Sequence, residues 1–395
     1  MGKPYSAAIY EEAFTKALGV PHAFGFYKGR VALYAILKAL EVSEGDRVIF
    51  PGFTCIMVPN AAVYLGAKPV YVDIDPMTLN MDPSKLEAAL ISMKASGIKK
   101  TRAIVVQHTF GVPADMDAVL GIAARYGIPV VEDCAHALGS RYKGRLCGTM
   151  GVASFFSSQW SKPYSTGLGG MAVTEDQLFA RKLKLVQSGF SEPGMIESAM
   201  LAFQVYMHKA LFSPRMYWTS MHALRALSSA GIFIGSSSGA EYRGELPGGY
   251  LKAIGEKQAE AGIEALSRIK KDIEHRKKVA RFYDEALSPR RASMVIPFES
   301  DAVLLRYPVM VADKDAALRD ARLRNAELGS WFESVLHPET RHLEKAGYIK
   351  GSCPAGEEAA RHLVNLPTHP RTTAQDAKRS LSIVMKHLTR RNRAS

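Results

Sequence analysis

The chain has 395 residues, 47% of them hydrophobic and 23% charged, a globular composition that excludes a disordered or disulfide-scaffold class and leaves room for two or three domains. Lys+Arg 51 against Asp+Glu 38 gives a net charge of +13, which attracts phosphates, nucleic acid or an anionic surface but says nothing about the fold. Four cysteines (Cys55, Cys134, Cys147, Cys353) with no CxxC pair fit a reducing compartment. The N-terminal MGKPYSAAIYEEAFTK lacks the basic and continuous apolar regions of a signal peptide. The longest apolar stretch, around Ala199 to Phe212, is interrupted by Gln204, His208 and Lys209. A cytoplasmic protein that does not cross a membrane is expected.

Arg30 to Leu40 carries a helical stripe (Leu33, Ile36, Leu37, Leu40). Arg47–Phe50 reads as a strand, Ile56–Leu65 as a helix, Pro69–Val72 as a strand and Pro83–Ser92 as a helix, followed by the short apolar run Ala103–Val106. Met116–Tyr126 is again helical, and Pro129–Val131 is a strand ending in Glu132-Asp133. This alternation implies βαβ units and a mainly parallel sheet. Residues 191–247 differ in texture, with five of the sixteen methionines between Met195 and Met221. Ala199–Phe212 and Met216–Leu227 read either as packing helices or as an apolar face for a lipid-linked substrate or a membrane surface, aided by the basic tail Arg390–Arg393. Pro247-Gly248-Gly249 marks a boundary. The expected organisation is therefore a large α/β domain over residues 1–247 and a smaller C-terminal α+β domain over 248–395. A single long amphipathic helix is expected from Gly255 to about Leu287, with Ile263, Leu266, Ile269 and Ile273 roughly on one face.

No G-x-G-x-x-G follows the first strand and no P-loop occurs. His337 and His342 are five apart and do not share a helical face, so no metal site is expected. Four features point to one cofactor. Gly29-Arg30 opens a helix, where free N–H groups suit a phosphate and Arg30 could add a forked donor; taken alone, an ordinary helix start with a solvated arginine is the favoured reading. Asp133 follows a strand at the sheet edge where α/β proteins place ligands, either as partner of a protonated ring nitrogen or as a helix cap. Lys162, in SFFSSQWSKPYSTGLGG, stands among hydroxyls and glycines where an amine can be desolvated and form an imine. Ser157 offers a second phosphate donor. Together these meet the needs of pyridoxal 5'-phosphate.

The blocks Gly45–Leu90, Gln107–Gly151 and Ala153–Asp176, with AIGEKQ (Ala253–Gln258) and NLPTHPRTT (Asn365–Thr373), resemble the DegT/DnrJ/StrS family of sugar aminotransferases. The lysine is followed at the family's spacing by T-G-x-G-G-M, here Thr166 to Met171. The resemblance implies the fold of the type I pyridoxal phosphate enzymes. It makes Lys162 the imine-forming lysine, Asp133 the partner of the pyridine nitrogen, and His136 a ring neighbour near the phenolic oxygen. It places Ser157, Gly29 and Arg30 at the phosphate. Arg30 stands where the family has Thr, and Cys55 where many members have a ring-stacking aromatic. The family's Asn-Tyr-Arg element is not evident in GELPGGYLKAIG, and Tyr242-Arg243 is its candidate remnant.

The implied function is an aminotransferase moving an amino group from an amino acid, glutamate in most of the family, to a keto sugar on a nucleotide. Lys162 and Asp133 are then the catalytic pair. Sugar dehydration is disfavoured, because relatives with that activity have histidine in place of the lysine. A binding or regulatory protein of the same fold is the alternative. A homodimer with no nucleic-acid partner is expected.

Overall fold

The computed structural model describes residues 6–96, 100–211, 218, 233–290, 300–338 and 343–388. Its centre is a seven-stranded sheet in the order β1 (His22–Phe26), β10 (Gly170–Thr174), β9 (Ala153–Ser157), β6 (Val130–Asp133), β5 (Thr101–Gln107), β2 (Arg47–Pro51), β4 (Lys68–Val72). From β9 to β4 every pairing is parallel, and β10 alone runs antiparallel to both neighbours. These short strands are buried almost throughout, as a sheet covered by helices on both faces requires.

The sequence punctuates the βα units as their chemistry demands. Asp82 caps the helix Pro83–Ala95 through the Ser84 and Lys85 N–H groups, and Asp176 caps Gln177–Ser188 through Leu178 and Phe179. The helix Met116–Tyr126 is capped by Asp115 and ends at Gly127, whose φ of 64° is the left-handed stop that glycine adopts without strain. The helix Gly29–Ala39 is buried over nearly its whole surface against β9 and β10. Thus its first turn is fixed at the carboxyl edge of the sheet.

Smaller ladders surround this layer. The hairpin β7 (Arg141–Tyr142) and β8 (Arg145–Leu146) pairs with β11 (Ser300–Asp301). In the C-terminal part, β12 (Arg306–Met310) runs antiparallel to β14 (Leu363–Pro367) over a core that includes Tyr283, Leu287, Tyr307, Val309, Ile383 and Val384. The pair β3 (Thr54–Cys55) and β13 (Leu336–His337) is parallel, with Cys55 opposite His337. That short ladder carries the C-terminal part onto the edge of the main sheet.

The single helix expected from Gly255 to Leu287 is two, Glu256–Ser267 and Ile269–Leu287, broken where Arg268 leaves helical geometry at φ −105°, ψ −4°. The reason lies in packing. The first helix buries Ala259 and Leu266 beside Tyr10 and Phe14 of the N-terminal helix Ser6–Leu18, whereas the second buries Val279, Tyr283 and Leu287 in the C-terminal core. A continuous helix could not face both. The expected helix at Ala199–Phe212 is Met195–Leu211; it turns Leu201 and Gln204 inward and leaves Met195, Ile196, Phe203 and Tyr206 exposed. Met216–Leu227, apart from Trp218, and the basic tail Arg390–Arg393 lie outside the described residues. No helix among the described residues is long and apolar enough to cross a membrane.

Candidate active site

The strand ends and the buried helix converge on one corner. Asp133 is the last residue of β6, Ser157 the last of β9, and Gly29 opens its helix just beyond β1. Gly29 is pressed so tightly on β9 that a Cβ there would lie 2.8 Å from the Ser157 Cβ and 3.1 Å from the Phe156 carbonyl oxygen. Lys28 at the N-cap supplies no side-chain cap. The first turn of this helix, whose N–H groups have no side-chain cap, thus lies against Ser157, an arrangement suited to cradling an anion.

Asp133 is buried, and its Oδ1 accepts one hydrogen bond from the Ala135 N–H at 2.9 Å. Burial pushes its pKa up to about 6, against the Ala135 bond and the fields of Lys162 and His108. A buried carboxylate with so little compensation fits a protonated ring nitrogen. The adjacent Glu132 is already satisfied: it takes His108 Nε2 at 3.0 Å and the N–H groups of Gly148, Met150 and Gly151 at 2.6–2.7 Å. With Cys134 these two form a compact group of potential metal ligands, but their existing bonds account for the carboxylate and for both nitrogens of His108, whose Nδ1 accepts from Ala114.

Lys162 sits in a turn whose geometry is set by hydroxyls and glycines. Ser158 and Thr166 hydroxyls meet at 2.8 Å, the Ser158 N–H donates to Gly169, and a Cβ on Gly169 would collide with both hydroxyls at 2.2 Å. Gln258 donates to the Leu168 and Tyr27 carbonyls, tying the turn to the helix Glu256–Ser267. Burial lowers the pKa of the Lys162 ammonium, and the cations Arg306 and Arg30 lower it further, with Cys55 and Asp133 opposing. The effect is a larger fraction of free amine, the form that attacks a carbonyl.

His136 is buried in an aromatic stack, 5.8 Å from the Phe110 centroid at 15° and 5.9 Å from Trp331 at 24°. Its Nδ1 accepts from the Phe110 N–H at 3.2 Å, so the neutral ring carries its proton on Nε2. Burial, with Lys162, Arg306 and His337 nearby, holds its pKa well below the usual histidine range. Cys55 is half-buried at the β3–β13 pairing and burial raises its thiol pKa.

The structure brings Gly29 together with Ser157, and Lys162 with the fields of Asp133, Cys55 and His136. Arg30 is placed differently from the expectation of a forked phosphate donor. Its Nε lies 2.8 Å from Glu241 Oε1, its Nη1 donates to Ser237 Oγ at 3.1 Å, and its Nη2 bonds the Ser236 carbonyl. The side chain is thereby committed to the loop 236–241 rather than turned to the cradle. Sequence reasoning missed Glu241, Arg276, Arg306 and Trp331. Trp331 lies under two cations, Lys162 Nζ at 5.1 Å and the Arg306 guanidinium at 4.6 Å from its ring centroid. Nothing in the local sequence of these four signals a site; their roles arise from distant segments meeting.

A desolvated lysine, an under-compensated carboxylate at a strand end and an uncapped helix start beside Ser157 on this sheet define a pyridoxal phosphate-dependent aminotransferase of fold type I. The chain belongs to the DegT/DnrJ/EryC1/StrS aminotransferase family, whose description matches residues 4–385. Among its relatives, GDP-perosamine synthase of Caulobacter vibrioides is 28% identical over 94% of this chain and 87% of its own length. A UDP-N-acetyl-3-dehydro-alpha-D-glucosamine 3-aminotransferase of Acidithiobacillus ferrooxidans is 40% identical over 42% of this chain and 43% of its own. DesV of S. venezuelae superposes with a TM-score of 0.73 at 25% identity, covering 98% of this chain and 89% of that one.

Proposed function

We propose that this enzyme moves an amino group from an amino acid, glutamate, to a keto sugar carried on a nucleotide. The observation that carries the amine-transfer chemistry is the meeting of a desolvated Lys162 with the buried Asp133 at one sheet edge. Support for the acceptor class comes from the relatives, two of which are named for amino sugars on GDP or UDP.

Pyridoxal phosphate supplies an aldehyde for the amine and a ring that withdraws electrons from the attached carbon. The residues do the rest. Gly29, the Arg30 backbone and Ser157 would hold the phosphate, and Asp133 would keep a proton on the ring nitrogen, itself remaining ionised. With the cofactor bound, Lys162 would be the group that carries the proton at the donor α-carbon, since burial leaves a larger share of its amine uncharged. His136 offers its Nε2–H as a neutral donor against the cofactor ring. Cys55 lies in the field of Lys162 and forms part of the same wall. We further propose a homodimer, the commonest symmetric assembly, tested by sedimentation of the active enzyme.

The test of function is spectral. The loaded enzyme should lose its aldehyde-form absorbance with L-glutamate and regain it with one member of a panel of nucleotide-linked keto sugars. Recovery with simple 2-keto acids and with no sugar would refute the acceptor assignment.

A further inference from the structure

Lys314 opens the helix Lys314–Leu323 in the C-terminal part and is buried, with 9% of the residue exposed. Its Nζ donates to two backbone carbonyls, Phe332 at 2.9 Å and Ala360 at 2.8 Å. Neither acceptor is charged. Glu333 and Asp315 act on it through their fields alone, and burial lowers its pKa to about 8. A buried ammonium is costly, and an apolar side chain of similar length would fill the same space without that cost. What the ammonium holds is therefore informative. Ala360 stands in the last turn of the helix Pro354–His362, where a cation on an open carbonyl is an ordinary helix end. Phe332 is different, because it follows Trp331. Gly329, two residues before Trp331, exchanges both backbone hydrogen bonds with Asn365 at 2.8 and 2.9 Å, so the chain is pinned on either side of the indole. That indole lies 5.1 Å from Lys162 Nζ and 5.9 Å from the His136 ring.

We propose that Lys314 is a positioning residue for amine transfer: its hold on the Phe332 carbonyl keeps the Trp331 indole against Lys162. This rests on the reading of Lys162 as the reacting amine. An indole face favours an ammonium over a free amine, so a fixed Trp331 steadies Lys162 in the protonated form that a proton carrier must take. Lys314 acts through the Phe332–Trp331 backbone and not by contact with the reacting atoms. Removing its charge has two effects of opposite sign on Lys162. One cation fewer, by itself, favours the Lys162 ammonium and moves its titration up. A released indole withdraws a contact that favours the ammonium and moves the titration down. Cys55, Asp133, Arg30, Arg306, His136 and His337 also bear on Lys162, and all are left unaltered in the test.

The experiment follows imine formation between the cofactor-free protein and pyridoxal 5'-phosphate by absorbance as a function of pH. It compares wild type, Lys314→Met, Trp331→Leu and the double variant, so that the cofactor's own titration cancels. The midpoint should fall by roughly 0.5–1.5 pH in each single variant, and in the double variant no further than in Trp331→Leu. Lys314→Gln, whose stem is one carbon too short to span both carbonyls, should move the midpoint the same way and decides the matter if Lys314→Met is too unstable to assay. A midpoint that rises or stays in place overturns the proposal, and so does a Lys314→Met shift of equal size with and without Trp331. Lys162→Ala that still forms the imine overturns the underlying reading by itself, and is recognised because neither Lys314 nor Trp331 is touched.

Discussion

Glu241 meets Arg30 at 2.8 Å across 211 residues of sequence, with only 1% of the carboxylate side chain and 9% of the guanidinium side chain exposed. Lys28 Nζ stands 3.7 Å from the same carboxylate, and burial lowers the Lys28 pKa to about 8. Glu241 thus neutralises two cations at the start of the phosphate-cradle helix and anchors the loop after the methionine-rich segment. Losing one member of a buried pair costs about 3–5 kcal/mol, because the other charge is left uncompensated. Glu241→Gln should therefore cost more stability than the double variant Arg30→Met/Glu241→Gln, measured by urea unfolding. Strict additivity of the two substitutions would show that the pair is not coupled.

Asp133 makes a prediction about pH. Its folded pKa, about 6 without cofactor, is raised above the ordinary value near 3.9. The unfolded chain therefore releases this proton first, and stability falls as pH rises from about 4 to about 6, by roughly 3 kcal/mol in all. Asp133→Asn should make the cofactor-free protein more stable than wild type at pH 7, with the difference vanishing near pH 4. The same substitution should remove turnover, since a neutral amide cannot hold charge on the ring nitrogen. Equal stability of the two proteins at pH 7 would mean the carboxylate is compensated in solution.

Lys162→Ala removes the imine-forming amine and the group that carries the proton. Turnover should fall by at least about 10²–10⁴-fold, the usual effect of losing a general acid–base. The hydroxyl and glycine contacts that shape the turn do not involve the Lys162 side chain, so the circular dichroism spectrum and thermal midpoint should stay close to wild type. A folded variant with near-normal transamination would refute the assignment.

The parts of the molecule legible in the sequence are those whose signal is local. The stripe Leu33, Ile36, Leu37 lies in the buried helix Gly29–Ala39, and the strand ending at Asp133 is where the apolar run stops. Lys162 stands out because glycines and hydroxyls crowd around it in sequence as they do in space. The N-terminal helix Ser6–Leu18 was missed, although Tyr10, Phe14 and Leu18 recur at helical spacing and all are buried. The break at Arg268 was not legible, because apolar residues continue through it (Leu266, Ile269, Ile273) while the partner cores change. Nor were Arg306, Trp331 and Glu241, which reach the site through tertiary contacts of the C-terminal ladders and a loop.

His136 supplies the last expectation. With Nδ1 accepting from Phe110 at 3.2 Å, the ring can gain a second proton only by losing that bond, and burial beside Lys162 and Arg306 opposes the added charge. Its protonation therefore lies below the working range, and no limb of the activity profile between about pH 6 and 8 should belong to it. His136→Gln offers a neutral N–H donor from a flat side chain and should keep most activity with an unchanged profile. His136→Ala removes the donor and leaves Trp331 unsupported on one face, where ring pairs contribute about 0.5–1.5 kcal/mol beyond area. Its turnover should fall well below that of His136→Gln. A limb near pH 6.5 that disappears in His136→Gln would show instead that the imidazole titrates during catalysis.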